Sequence, residues 1–170
     1  MPGERSTTTD GAPLLARPFL RLSLAAEALA IREALRQVVT ALAGLRLTGE
    51  CLGDVELVLA EILNNIHRHA YAGRTGEIEL ELAAAGDMLV CTVIDAGNPM
   101  PGGQLPAGRA VSVDVCSEIL PEGGFGWFLI RSYAERLEYR REAGRNHLTL
   151  HLRLLPAGHG EQVTAVSRLG

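Results

Sequence analysis

The sequence contains no lysine; all sixteen of its basic residues are arginine. A phosphate-binding loop of the G-x-x-x-x-G-K-[ST] kind is therefore absent, and the nucleotide hydrolases built on that lysine are excluded. Aromatic residues make up only 4%, so a pairing of Glu61 with Asp95 as glycosidase carboxylates would lack rings on which sugars could stack. The three cysteines, Cys51, Cys91 and Cys116, are widely spaced and never form C-x-x-C. That pattern fits reduced thiols in a cytosolic protein better than a disulfide framework. No segment approaches the ~20 apolar residues of a membrane span, and no basic, then apolar leader opens the chain. The expected setting is cytoplasmic, without membrane attachment. A net charge of -4 and a pI of about 5.7 argue against direct nucleic-acid binding, which relies on basic surface to displace counterions.

What is present is the makings of one folded domain. With 170 residues, 47% of them hydrophobic, such a chain buries roughly 68–70% of its unfolded surface and needs no disulfide or metal staple. Residues 1–16 and 156–170 lose periodicity and read as tails, leaving 17–155 as the domain. Leu20, Leu22 and Leu24 alternate as in a strand. Ile31, Leu35, Val38 and Leu42 then recur at helical spacing up to Gly44, and a second helix is expected from about Cys51 to His69. In GEIELEL, Ile78, Leu80 and Leu82 share one face and Glu77, Glu79 and Glu81 the other, and A-A-G-D turns the chain into DMLVCTVID. The stretch from Gly97 to Gly124 is too long for a routine connection and reads as a functional loop or lid. After it, GGFGWFLIRSYAERL opens a helix, and RLEYRRE and NHLTLHLRL form a last hairpin about Ala143 and Gly144, with Leu148, Leu150, Leu152 and Leu154 inward. The order β-α-α-β-β-lid-α-β-β gives an α/β (α+β) two-layer sandwich, a mixed, mostly antiparallel sheet with helices on one face.

Three places carry chemistry. In LVLAEILNNIHRHAY, the core residues Val55, Leu59, Ile62 and Ile66 leave Glu61, Asn65, Arg68 and His69 on another stripe. A carboxylate and a carboxamide one turn apart suit Mg·nucleotide chemistry: the amide offers a neutral oxygen to a hard cation, and the carboxylate can orient or deprotonate a nucleophile. The same spacing also occurs on ordinary solvated faces. VIDAGNP sets Asp95 and Gly97 where a strongly apolar strand leaves the sheet. There a carboxylate can accept from a purine amino group and a glycine lets the backbone approach a ring, although a plain turn would use the same residues. Gly123, Gly124 and Gly126 precede an apolar helix whose free amides could face a phosphate, or could form a simple hinge.

In this order and spacing, the three signals resemble the GHKL, or Bergerat-fold, ATPases, and among them the RsbW/SpoIIAB-like anti-sigma factor serine kinases. The resemblance spans about Leu20 to Leu154 and implies a histidine-kinase-like ATPase fold. The family's E-x-x-x-N box matches Glu61 to Asn65 and is followed by His69, Ala70 and Tyr71; its D-x-G box matches Asp95 to Gly97, and its second glycine box Gly124 to Gly126. The resemblance implies ATP and Mg²⁺ as cofactors. Asn65 would ligate Mg²⁺, Glu61 would act as base, Asp95 would bind the adenine amino group, and Gly97, Gly124 and Gly126 the phosphates, with His69 among the ATP-binding residues. Two departures stand out: position 99 is proline where the first glycine box often has glycine, and the polar residue near adenine, commonly threonine, is Asn146 or Thr149 here.

The implied function is an ATP-dependent protein serine kinase that binds a sigma factor and phosphorylates a STAS-domain anti-anti-sigma protein, with a homodimer as a further expectation. A non-catalytic ATP-gated binding module is the alternative. The chain offers no phosphoacceptor-histidine, sensor or transducer segment, which speaks against a whole histidine kinase. Other clusters read as structural. His67, His69, His147 and His151 lack the spacing of a zinc site. Arg131, Arg136, Arg140, Arg141 and Arg145 are interleaved with Glu135, Glu138 and Glu142, as on a solvated or partner-docking surface.

Overall fold

The computed structural model describes residues 17–107 and 125–157. The expected tails at 1–16 and from 158 on, most of the expected lid, Cys116, Gly123 and Gly124 lie outside the described residues. The element order is β1 (Leu20–Ala25), α1 (Ala28–Ala43), α2 (Gly49–Asn65), β2 (Glu77–Ala85), β3 (Met88–Asp95), α3 (Phe125–Tyr133), β4 (Ala134–Glu142) and β5 (Arg145–Arg153). The strands form one sheet in the order β1-β2-β3-β5-β4, and every pairing is antiparallel. The described sheet therefore has no parallel pair, where a mixed one was expected. Strand β5 returns from β4 to lie beside β3, so the ends of β3 and β5 stand next to each other: Asp95 faces Asn146 across that pair.

Period-two alternation decides which face is buried. Ile78, Leu80, Leu82, Leu89, Cys91, Val93, Leu148, Leu150 and Leu152 are buried beneath the helices. Ile31, Ala34, Val38 and Leu42 of α1 and Val55, Val58, Leu59, Ile62 and Leu63 of α2 cover them. Leu35, expected in the core, is only partly buried because α1 turns Ala34 inward instead. The thiols of Cys51 and Cys91 are free and buried, and burial pushes the Cys91 thiol far up. Thr48 caps α2 by accepting from the Cys51 amide at 3.2 Å. Past β5, Pro156 bridges to Leu47 and the Ala157 amide donates to the Arg46 carbonyl at 2.7 Å, which ties this segment to the α1–α2 loop.

Two element boundaries differ from expectation. The helix expected to run through AERL stops at Tyr133, since Ala134 is already paired with Leu152 in the sheet and a bulge follows before Arg136. Sheet pairing outweighs the helical preference of those residues. The second helix loses its regular turn after Asn65, and residues Ile66–Ala70 form a π-helical turn closed by the Tyr71 amide on the Ile66 carbonyl at 3.0 Å. Such single wide turns within helices occur frequently at functional sites.

Candidate functional site

The π turn is what brings the end of α2 against the exit of β3. The Ala70 carbonyl accepts from the Asn98 amide at 2.8 Å. A Cβ on Gly97 would stand 2.7 Å from the backbone and Cβ of Ala70, so only glycine fits there. Gly97 is needed for close approach, not for a left-handed conformation, since its φ is not among the positive ones. Tyr71 is buried and fastens the same corner, donating to the Glu77 carbonyl at 2.6 Å and accepting from the Ala96 amide at 3.1 Å. Arg74 donates to the side chain of Asn98 at 3.0 Å.

Between the π turn, the β3 exit loop, α3 and the ends of β4 and β5 lies a cavity of about 460 Å³. Asn65, His69, Asp95, Trp127, Tyr139 and Asn146 are among the side chains that line it. Asp95 is 4% exposed. One of its oxygens, Oδ1, accepts from the Gly97 amide and from Asn146 Nδ2, both at 2.8 Å. Burial pushes the Asp95 carboxyl above its ordinary range, opposed by the bonds from Asn146 and Gly97 and by the charges of Arg141 and Arg145. Asn146 occupies the polar position that the sequence left open between two residues. It stands buried on the core face beside Asp95, whereas Thr149, of opposite parity, pairs with Thr92 on the helix-free face.

At the other end, Asn65 shows a buried Nδ2 without a hydrogen-bond partner among the described residues. Glu61, one turn earlier on α2, does not line the cavity but meets Gly126 at the start of α3. A Cβ on Gly126 would lie 2.5 Å from Glu61 Oε2 and 3.7 Å from Asn65 Nδ2. Thus Glu61, Asn65 and Gly126 come together, with Trp127 carrying the cavity wall onward from Gly126.

Other expectations fall differently. Gly97 does not line the cavity: it is enclosed by Ala70 and supports Asp95 from behind, so the expected contact with phosphates is not what its position offers. His69 and Arg68, placed on one stripe by regular helical spacing, are both exposed, but only His69 lines the cavity, since the π turn breaks that spacing. His67 bonds the Ala26 carbonyl, while His147 and His151 pair with Arg140 and Arg136 on the sheet face away from the helices. Within the arginine cluster, Arg136, Arg140 and Arg145 pair with Glu138, Glu142 and Glu79. Arg131 donates to the Pro106 carbonyl at 2.8 Å and holds the β3 exit loop on α3. Arg141 is exposed as the solvated reading has it, yet its guanidinium turns inward at one nitrogen, donating to Asn146 Oδ1 at 2.6 Å and to the Gly97 carbonyl at 3.0 Å. The alternation Leu137, Tyr139, Arg141 along β4 was the signal for this, hidden among charged neighbours.

The lining suits a ligand with a hydrogen-bond donor, met by Asp95, and with negative charge or a bound cation, met by Asn65. Among the described residues, no helix is long and apolar enough to cross a membrane.

No curated protein matches the chain. The structure of the RsbU and RsbW domains of Rv1364c from Mycobacterium tuberculosis resembles it over 81% of this chain, with a TM-score of 0.56 and 22% identity. The match covers 32% of that longer chain, so the likeness concerns one fold within a larger protein. A mycobacterial sensor histidine kinase, MprB, aligns over 81% of this chain and 100% of its own, at 13% identity and a TM-score of 0.46. The family described as histidine kinase-like ATPase domain matches residues 24–152, and this chain belongs to it.

Proposed function

We propose that the chain is an ATP- and Mg²⁺-dependent protein serine kinase of the anti-sigma type, acting on a STAS-domain anti-anti-sigma protein and holding a sigma factor as its second partner. The observation that carries this reading is the convergence of Glu61, Asn65 and Gly126, of which Asn65 lines the same cavity as Asp95. Asn65, whose buried Nδ2 has no partner among the described residues, fits a cation site: with the terminal carboxamide turned over, its Oδ1 would be offered to the metal. Mg²⁺, when bound there, neutralises charge on the phosphates. Asp95 accepts from the adenine amino group, and Trp127 and the apolar loop residues flank the ring.

In this reading Glu61 orients a serine hydroxyl and receives its proton as that oxygen bonds to the terminal phosphorus, while the phosphorus–oxygen bond to the departing ADP breaks. Its retention supports a kinase, because binding alone requires no base. The motif order in the sequence supports the anti-sigma branch, and the RsbW-containing structure adds support for the fold. The test is to incubate the purified protein with labelled ATP·Mg²⁺ and each STAS-domain protein of its source organism. Label on a serine of one of them is expected. Tight ATP-dependent binding of such a partner whose serine stays unmodified would replace the kinase with an ATP-gated binding module.

A further inference from the structure

Asp95, Asn146 and Arg141 sit in one row across three neighbouring strands, since Asp95 pairs with Asn146 and Asn146 with Arg141. We propose that Arg141 is a specificity-positioning residue: by helping to fix the amide of Asn146, it determines which oxygen of Asp95 a nucleobase meets, and so selects a purine with an amino rather than a keto group at C6. The inference rests on the ATP reading above.

A carboxamide has two acceptor lone pairs and two N–H donors. Asn146 uses all four. Its Oδ1 accepts from Tyr139 Oη at 2.8 Å and from Arg141 at 2.6 Å; its Nδ2 donates to Asp95 Oδ1 at 2.8 Å and to the Asn98 carbonyl at 3.0 Å. Turning the amide over would set Nδ2 against a guanidinium that can only donate and Oδ1 against the Asn98 carbonyl, so Arg141 and that carbonyl together oppose the turn. Asp95 Oδ1 is consequently saturated by Asn146 and Gly97, and Oδ2 makes no hydrogen bond to the described residues. An acceptor alone is left facing the ligand. Adenine offers an amino group to it, whereas guanine offers a keto oxygen, acceptor against acceptor.

Without Arg141, Asn146 Oδ1 keeps only the Tyr139 hydroxyl, which can accept as well as donate, so the amide turns more readily, against the Asn98 carbonyl alone, and sets its oxygen towards Asp95. That contact is relieved when the carboxyl takes a proton, after which it can donate to a keto group. Arg141 also donates to the Gly97 carbonyl, so the loop behind Asp95 depends on the same guanidinium.

The test is calorimetric affinity for ATP and GTP in Mg²⁺, on wild type and on Arg141→Met, with thermal melting to confirm that the variant folds. Wild type is expected to prefer ATP. The variant should lose about tenfold in ATP affinity, the scale of a charge-assisted hydrogen bond, without the same loss for GTP, so that the ratio narrows. An equal loss for both nucleotides, or no loss, overturns the proposal. Asn146→Asp provides a second route, because it keeps the acceptor for Arg141 and removes the donor for Asp95. The ratio should narrow there too, and an unchanged ratio overturns the proposal even if Arg141→Met does not fold. A wild type that binds both nucleotides equally instead overturns the adenine reading itself.

Discussion

At the Asp95 end of the cavity, Asn146 spends all its hydrogen bonds on the protein, and Asp95 Oδ2 is left open among the described residues. At the Asn65 end, the Asn65 amide nitrogen is buried without a partner among the described residues, and Gly126 abuts the tip of the flexible Glu61 side chain. One end is organised before any ligand arrives; the other is completed by what binds. The contrast suits a nucleotide, whose base is read by fixed geometry, while its phosphates and cation bring their own charge and donors to coordinate.

The largest expected effect sharpens this contrast at the open end. Glu61→Gln keeps the size and hydrogen bonding of the side chain but cannot take a proton, so it should slow single-turnover transfer to a confirmed STAS partner by about 10²–10⁴-fold. ATP and partner affinity should hold. If transfer is unaffected, Glu61 is not the base and the open end serves binding alone.

Asp95→Asn tests the organised end. Losing a charge-assisted bond should cost about 1.5–3 kcal/mol of ATP affinity, read by calorimetry. Stability without nucleotide should move the other way. Burial raises the Asp95 carboxyl above its ordinary value of 3.8, so what this group contributes to folding is fully present below that value and is lost as pH rises through its folded one. At neutral pH the uncharged isostere should therefore melt no lower than wild type, and any gain should vanish on acidification below about pH 4. A variant that melts lower at neutral pH would show that the fold itself relies on the charge.

A pair of glycine substitutions probes rigidity with smaller effects. Gly97→Ala drives a Cβ into the Ala70 backbone and should cost about 1–3 kcal/mol of stability in a denaturant titration. Gly126→Ala meets only the end of the Glu61 side chain, which can rotate, and a helical alanine returns about 0.5–1 kcal/mol, so its net change should be under about 1 kcal/mol. Equal destabilisation by the two would erase the difference between the ends.

The part of this site that runs along one element was legible in the sequence. Glu61 and Asn65 share a face because four residues make about one helical turn, and Asp95 ends a strand whose alternation is unbroken. Contacts set by pairing across strands were not legible. Asn146 could not be separated from Thr149 until its register opposite Asp95 was known, and Arg141 looked like one more solvated arginine because its partner lies on the next strand. The π turn was hidden for a related reason: Ile66 to Ala70 has ordinary helical composition, and what accompanies its widening is the bond from Asn98 to Ala70, 28 residues apart in sequence. The end of α3 was misjudged because Ala134 and Glu135 suit a helix and only the sheet edge claims them.

In the function proposed, a nucleotide-bound cation held on Asn65 finishes the open end. Calorimetry of ATP binding to wild type and Asn65→Ala, in millimolar Mg²⁺ and again in excess chelator, tests it most directly. Wild type should bind well only with Mg²⁺, and the variant, whose alanine favours the helix and leaves the fold intact, should lose that Mg²⁺-dependent binding. Unaltered ATP affinity of Asn65→Ala in Mg²⁺ would contradict the account.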